Sequence, residues 1–407
     1  MTDDQDVHLN SLDFQPSVQK HFIQQGTWLQ KHFCTVSLCC PSRVSLLTGQ
    51  AAHNTNVTDV ALPYGGYPRF IQRGYNENYL PVWLQQAGYN TYYAGKLMNA
   101  HSIDTYDKPH AAGSVEFLGD AIEARKPFFL GVAPIAPHAE TVGDAFEAPV
   151  PAKRHENLFP DVKVPRWPSF NARAVSLSEL APRVKYSILT VILSQSGAVS
   201  YLRNLPELAY DQIDYMDTFY RRRLQSLQAV DDLIEAIMAK LESHPDMLAN
   251  TYLFYTSDNG YHIGQHRLPP GKTCGIEEDV NVPFIARGPG IPVGHVGRFP
   301  TSHTDLVPTI FELAGIPQRE EFDGEPMPLK ENRQGRTSTK SEHINIEFWG
   351  AGIVEGTAFD NLSKDALDRY TYKTLRVDTD DYAFMYTVWC TNEHELYNMK
   401  VSVNGEQ

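Results

Sequence analysis

The succession of apolar and polar positions divides the chain into helices, buried strands and long polar connections. Its strongest signal is Asp217–Glu242, where Leu224, Leu227, Val230, Leu233, Ile234, Ile237, Met238 and Leu241 fall on one stripe at helical spacing. The stripe predicts a core-packing helix, and nothing catalytic is assigned to its Asp231 or Asp232. Lys126–Ala133 and Thr251–Thr256 are apolar runs of strand length, and Tyr89–Gly95 is rich in β-forming residues. Leu80–Ala87 has helical spacing with Gly88 placed to cap it. Asp305–Ala314 is an amphipathic helix closed by Gly315, which marks a domain edge. Beyond the polar stretch Gln318–Ser341, the strand-like runs Ile344–Trp349, Tyr372–Val377 and Tyr382–Trp389 predict a small antiparallel sheet.

Two regions depart from this regularity. Asn54–Tyr79 is polar and rich in Tyr, Gly and Pro, the composition of a long loop. Ala139–Leu208 is proline-rich and irregular, and Val184–Ser200 inside it carries a β-branched apolar run. That run reads as an insertion without a function, and exposed it is an aggregation hazard.

Composition narrows the class. A chain of 407 residues is long for one core, so two domains are expected, the first being the larger. A formal charge of −14 argues against a nucleic-acid surface and obliges any anionic substrate to find a local positive site. Five cysteines, at 34, 39, 40, 274 and 390, are too few for a disulfide scaffold. The longest mostly apolar run, Ile188–Leu193, is far too short to span a membrane. The opening Met1-Thr2-Asp3-Asp4 is polar and resembles no signal peptide, which taken alone predicts a soluble, cytosolic chain. Asn56 and Asn361 head glycosylation triplets, a pattern that also arises by chance.

Five stretches carry candidate chemistry. Leu38–Gly49 has the form C-x-P-S-R-x-x-x-L-T-G from Cys39 onward, with Pro41 to set a turn, Ser42 to cap a helix, and Leu46 and Leu47 to anchor it. No nearby C-x-x-C completes a zinc site, and Cys39 to Arg43 is too short for a thiol-phosphatase loop; a buried structural cysteine is the plain alternative. Thr2-Asp3-Asp4-Gln5-Asp6 is otherwise a solvated terminus. Ala94-Gly95-Lys96-Leu97-Met98-Asn99 and Ala136-Pro137-His138 each follow a predicted strand, where open α/β sheets place their sites. Ser257-Asp258-Asn259-Gly260-Tyr261-His262 follows another, although Asp-Asn-Gly commonly serves as a hairpin turn.

Together these stretches resemble the sulfatases, nearest the fungal-type arylsulfatase and N-acetylglucosamine-6-sulfatase branch. The resemblance implies an alkaline-phosphatase-like α/β fold: a mixed, mostly parallel central sheet flanked by helices over residues 1–315. A small C-terminal antiparallel subdomain over 316–407 follows. It implies that Cys39 is oxidised to formylglycine by a formylglycine-generating enzyme, and that Ca²⁺ or Mg²⁺ is held by Asp3, Asp4, residue 39, Asp258 and Asn259. Arg43, Lys96, His138, His262 and Lys272 (in L-P-P-G-K) are the implied catalytic groups, His138 being the acid at the ester oxygen; His266 lines the same loop as His262. Sulfatases often place a histidine two residues after the Lys96 equivalent; here Met98 stands there, leaving that role empty or to Asn99.

Val280–Gly290 matches a strand and turn of the family, and Glu393–Met399 resembles its E-L-Y-D segment. The substrate implied is a small-molecule or carbohydrate sulfate ester, and the compartment is secretory or an endomembrane lumen. The family's hydrophobic strand before T-D-D-Q-D has no counterpart, so a truncated N-terminus is expected, and a shortened tail as well. Two other readings stay open: a phosphonate or phosphodiester hydrolase of the same superfold, or an inactive relative.

Overall fold

The computed structural model describes residues 1–101, 114–143, 145–172, 198–330, 342–359, 371–379 and 381–400. The insertion-like Val184–Ser200, except its last three residues, and the Asn361 triplet lie outside them. The strands that build the site are β1 (Thr27–Leu29), β2 (Asn90–Gly95), β3 (Phe128–Ala133), β4 (Leu253–Thr256), β5 (Gly271–Lys272), β6 (Phe284–Arg287) and β7 (His295–Gly297). Toward the C-terminus follow β8 (His343–Phe348), β9 (Ile353–Val354), β10 (Tyr372–Asp378), β11 (Ala383–Trp389) and β12 (His394–Asn398).

A mixed four-stranded sheet has the order β7-β1-β6-β4, with β1 parallel to β7 and antiparallel to β6. β2 and β3 pair in parallel from Asn90 opposite Phe128 to Gly95 opposite Ala133. The run Phe284-Ile285-Ala286 in β6 shows why the sheet is sandwiched. Alternate side chains of a strand point to opposite faces. Ile285 joins a cluster with Leu227, Val230, Ile234 and Met238 of the long helix, while Phe284 and Ala286 pack with Val44, Leu47, Leu306 and Phe311 on the other face. Each such side chain removed from water stabilises by roughly 1.5–3 kcal/mol. Both faces are therefore covered by helices, the architecture of an α/β layer fold.

The helix read from the apolar stripe runs over Tyr210–Glu242, starting seven residues before Asp217. Its first turns are hidden from a single-stripe reading because Met216, Phe219 and Tyr220 pack into a different cluster, with Leu9 and Ile263. The entry is fixed by Gln212, whose side-chain oxygen accepts the Ala209 N–H at 3.0 Å. Leu80–Gln86 and Leu306–Ala314 form the other two expected helices, the latter closed by Gly315 at φ +70°.

The C-terminal sheet is antiparallel with order β8-β10-β11-β12, so it has four strands where the apolar pattern predicts three. The extra edge strand, β12, carries His, Glu, Tyr and Asn around one buried Glu395, a composition that shows no alternation to read. A further pair ties this half to the first: β9 runs antiparallel to β5, with Ile353 opposite Lys272.

Met1 and Thr2 lie between β3 and β4. The Met1 amine donates to the Val132 carbonyl at 2.8 Å, and the Thr2 N–H donates to Thr256 at 2.9 Å. Behind them is a cavity of about 1490 Å³, lined by apolar side chains of both strands and of the long helix, Leu130, Phe254, Val230 and Ile234 among them.

Candidate active site

The acidic pairs sit side by side because a single backbone bridge joins the segments that carry them. Thr2 forms a parallel bridge with Ser257, so Asp3 and Asp4 emerge next to Asp258 and Asn259 at the C-terminal end of β4. Backbone bonds lock the register: the Asp258 N–H donates to Thr2 at 3.2 Å and the Asp3 N–H to Ala136 at 3.2 Å. Asp4 adopts φ 68°, a left-handed conformation that aspartate tolerates and that ordered surroundings must hold.

Cys39 opens the helix Cys39–Thr48, which points its N-terminus at these carboxylates. Pro41 fits inside the first turn, where a missing N–H costs nothing. Ser42 does not cap the helix as expected from the sequence: the helix begins three residues earlier, with Leu38 at the N-cap position. Its hydroxyl instead donates to the Asp258 carbonyl and meets His303 Nδ1 at 2.9 Å. A hydroxyl inside a buried helix turns to whichever polar groups face it, and here those are the Asp258 carbonyl and the His303 ring.

Lys96 leaves β2 just after Gly95, whose φ of +104° and contact with the Ala133 backbone leave no room for a Cβ. His138 follows β3, and Lys272 ends β5. These side chains converge. Lys272 Nζ lies 2.7 and 2.6 Å from the two Asp4 carboxylate oxygens and 3.4 Å from Cys39 Sγ. Lys96 Nζ lies 2.7 Å from Asp3, and Arg43 Nε donates to Asp258 at 2.8 Å while its Nη2 lies 3.5 Å from Asp3. Cys39 Sγ is 3.6 and 3.7 Å from the Asp3 and Asp4 carboxylates. His138 donates Nδ1–H to the Ala139 carbonyl at 2.6 Å, which turns Nε2 toward the site, 3.7 Å from Asp4.

Burial governs the ionisation of this knot. It would raise the Asp3 and Asp4 carboxyls, but Lys96 with Arg43 on Asp3, and Lys272 with His138 on Asp4, outweigh it and hold both below the usual range. Burial likewise would lower Lys96 and Lys272, yet Asp3 and Asp4 keep both ammonium groups protonated, above the ordinary lysine value. Cys39 goes the other way: burial drives its thiol well up despite Lys272 and Lys96. A thiol so held is a poor nucleophile, since the thiolate is the reactive form.

The donors suit a hard divalent cation. Asp3, Asp4, Cys39 and His138 present ligand atoms within 4.8 Å of one another. Asn259 donates to Asp4 at 2.8 Å, yet its own Oδ1 is buried with no hydrogen-bond partner among the described residues. An orphaned amide oxygen beside three aspartates is an oxygen-rich set of the Ca²⁺ and Mg²⁺ type.

The structure thus brings together Cys39, Arg43, Lys96, His138, Lys272, Asp3, Asp4, Asp258 and Asn259. His262 is placed differently: it is buried, with Nδ1 2.7 Å from Asp279, and it groups with Cys274 and Asp279. His266 lies in the same loop at φ 55°, its N–H on Ser169 at 2.7 Å. Met98 packs on Cys40, 4.0 Å between the sulfurs.

Three supporting residues escape the sequence reading. Arg223 donates to the Asp4 and Pro137 carbonyls and stacks 3.8 Å over the Tyr261 ring. Its signal was present: a charge four residues before Leu227 lies on the apolar stripe. His303 backs Ser42, and Glu355 stands behind Lys272; neither has a local signal, because long-range pairing places them.

Comparison with known proteins agrees with this geometry. The family model described as Sulfatase matches residues 1–105 and 101–316. Sulfatase ppz1 of Metarhizium majus is 60% identical over 405 residues, covering 99% of this chain and 75% of that protein. An arylsulfatase of Volvox carteri is 35% identical over 471 residues, covering 98% of this chain and 69% of its own length. A solved structure described in complex with its substrate, D-glucosamine-2-N,6-O-disulfate, shares the alkaline-phosphatase-like fold at a TM-score of 0.71 and 20% identity, over 98% of this chain and 90% of that one. With the signature helix, the acidic pairs and the lysines all falling within the matched span, this chain belongs to the sulfatase family, the hydrolases of sulfate esters.

Proposed function

We propose that the chain cleaves sulfate monoesters at the Cys39 knot, with residue 39 acting as formylglycine and a divalent cation, Ca²⁺ or Mg²⁺, held by Asp3, Asp4, Asp258 and Asn259. The observation that carries this reading is the position of Cys39 Sγ. It is ringed by an ammonium at 3.4 Å and carboxylate oxygens at 3.6 and 3.7 Å, while its thiol is driven away from the thiolate form. Those neighbours suit an oxygen nucleophile. A hydrated aldehyde held at position 39 would offer two hydroxyls, one as the nucleophile toward sulfur and one to free the sulfate, where a thiol has neither. The cation, when bound, supplies positive charge that lowers the pKa of the attacking oxygen.

The side chains divide the remaining work. Lys96, Lys272 and Arg43 give the local positive potential that an acidic chain must concentrate to hold an anionic ester. His138, with Nδ1–H fixed on Ala139, delivers its Nε2 proton to the departing alkoxide, a contribution of typically ~10² to 10⁴-fold. His262 with Asp279 steadies the loop between Asn259 and Lys272. Residues 1–315 form the catalytic part, and 316–407 lend β9 and Glu355 to it. The substrate class is aryl or carbohydrate sulfate, and a formylglycine-generating enzyme matures Cys39. Among the described residues no helix is long and apolar enough to cross a membrane, and we place the active form in a secretory or lumenal compartment.

Turnover of para-nitrophenyl sulfate against para-nitrophenyl phosphate tests the reading. Sulfate is expected to be preferred, with Cys39→Ala inactive on both. Preference for phosphate would favour a phosphonate or phosphodiester hydrolase, and no turnover despite the aldehyde would mark an inactive relative.

A further inference from the structure

Glu355 comes from the C-terminal part of the chain, directly after β9, and its N–H donates to Pro270 at 2.7 Å beside the β5–β9 pair. Its carboxylate is fully buried. One oxygen accepts the Tyr261 hydroxyl at 2.6 Å; the other lies 3.4 Å from Lys272 Nζ and has no hydrogen-bond partner among the described residues. A buried carboxylate oxygen left without a hydrogen bond is costly, and the ammonium beside it is the group that compensates it.

The ionic count around Cys39 gives this carboxylate a second consequence. Arg43, Lys96 and Lys272 face Asp3, Asp4 and Asp258, so those six groups balance. Glu355 adds one negative charge. A divalent cation adds two positive charges, and His138 one more while it holds the proton it gives to the leaving group; whatever that total, Glu355 lowers it by one. A sulfate monoester brings one negative charge and is repelled least by that carboxylate. A phosphate monoester brings about −1.5 to −2 at neutral pH and is repelled more.

We propose that Glu355 is a specificity-determining residue that sets the charge of the pocket for singly charged sulfate esters, and that it keeps Lys272 in place when Asp4 turns to a cation. This rests on the sulfate-hydrolase reading above. Lys272 cannot bond both Asp4 oxygens and also leave them to a metal; Glu355 is the second anion within its reach.

The test is Glu355→Gln in the full chain, which keeps the shape and an acceptor for Tyr261 but removes the charge. The ratio of kcat/KM for para-nitrophenyl sulfate over para-nitrophenyl phosphate is expected to fall by about tenfold. Ca²⁺ affinity, read by calorimetry without any substrate, is expected to weaken by a similar factor. Glu355→Asp keeps the charge and shortens the reach, so it should retain the sulfate preference while kcat falls. Equal losses on both esters with unchanged Ca²⁺ affinity would overturn the proposal, leaving only a structural part for Glu355. If Glu355→Gln folds poorly, Glu355→Asp decides alone: losing the sulfate preference overturns the proposal. Failure of the wild type on every aryl sulfate counts against the functional reading, and the Ca²⁺ comparison still judges Glu355.

Discussion

Lys272 and Asp4 meet twice, Nζ lying 2.7 Å from one carboxylate oxygen and 2.6 Å from the other, both side chains buried. The lysine is the counter-ion of a carboxylate that, on the function proposed above, also serves a divalent cation, so the two cations are expected to compete. Lys272→Met is expected to bind Ca²⁺ about tenfold tighter in calorimetry, because a neighbouring positive charge is gone and Asp4 is released. The same variant should lose about 10²- to 10³-fold in kcat on para-nitrophenyl sulfate, the usual cost of removing one charge-stabilising donor. Weaker Ca²⁺ binding in that variant would refute the competition.

Arg223 ties two halves of the site through backbone carbonyls, that of Asp4 and, at 3.2 Å, that of Pro137 beside His138. Arg223→Met keeps the apolar stem over Tyr261 but leaves both carbonyls unpaired. Each buried orphan costs about 1–3 kcal/mol, so urea unfolding should show a loss of roughly 2–6 kcal/mol. Turnover should fall with little change in KM, as Asp4 and His138 both lose their setting. A stability within ~0.5 kcal/mol of wild type would show that the tie carries no load.

Much of the knot was legible in the sequence because chemistry and strand ends coincide there. Lys96, His138, Asp258 and Lys272 all sit at or past the end of a strand, and three of those strands are apolar runs or β-rich stretches readable without a structure; Asp3 and Asp4 were legible from their acidic motif alone. What was not legible depends on long-range register. Glu355 is adjacent to glycine in a segment without periodicity, and only the pairing of Ile353 with Lys272 delivers it to the site. Ser42 was assigned to a cap because the turn was placed at Pro41; the helix starts at Cys39, and the hydroxyl is spent on Asp258 and His303. His262 carries the family pattern, yet Asp279 at 2.7 Å claims its ring.

Two buried histidines set an acid limit. Burial holds His303 down to about 4, against a rise from Asp258, and holds His32 well below its ordinary value, with the His303 charge adding to the effect. Both must gain a proton on unfolding in mild acid. Their stabilising effect is complete above the unfolded value near 6.5 and is lost as pH falls toward about 4. Two protons taken up give a slope of about 2.7 kcal/mol per pH unit. His303→Gln should roughly halve that slope between pH 6 and about 4.5 in urea unfolding; an unchanged slope would assign the acid limb elsewhere.

The Met1 amine is buried between β3 and β4, and burial with the Arg43 charge lowers its pKa to about 5. Folding therefore disfavours the ammonium, and the cost grows as pH falls from the ordinary 8.0 toward about 5. An amide at that position keeps the bond to Val132 and carries no charge. A β-branched apolar extension as long as the six-residue β3, fused ahead of Met1, should enter the apolar cavity and raise the thermal midpoint by several degrees. A Gly/Ser extension of the same length should recover only the part due to the amine. Equal midpoints for both extensions would show that the cavity does not accept a strand.

The most direct measurement is mass spectrometry of the peptide that spans Cys39, taken from active protein made in a host with the oxidising enzyme. The expected result is a residue lighter than cysteine by the exchange of thiol for aldehyde oxygen, trapped by a hydrazide reagent, with aryl-sulfatase activity rising in proportion to the converted fraction. Unmodified Cys39 in a preparation that turns over sulfate esters would contradict it.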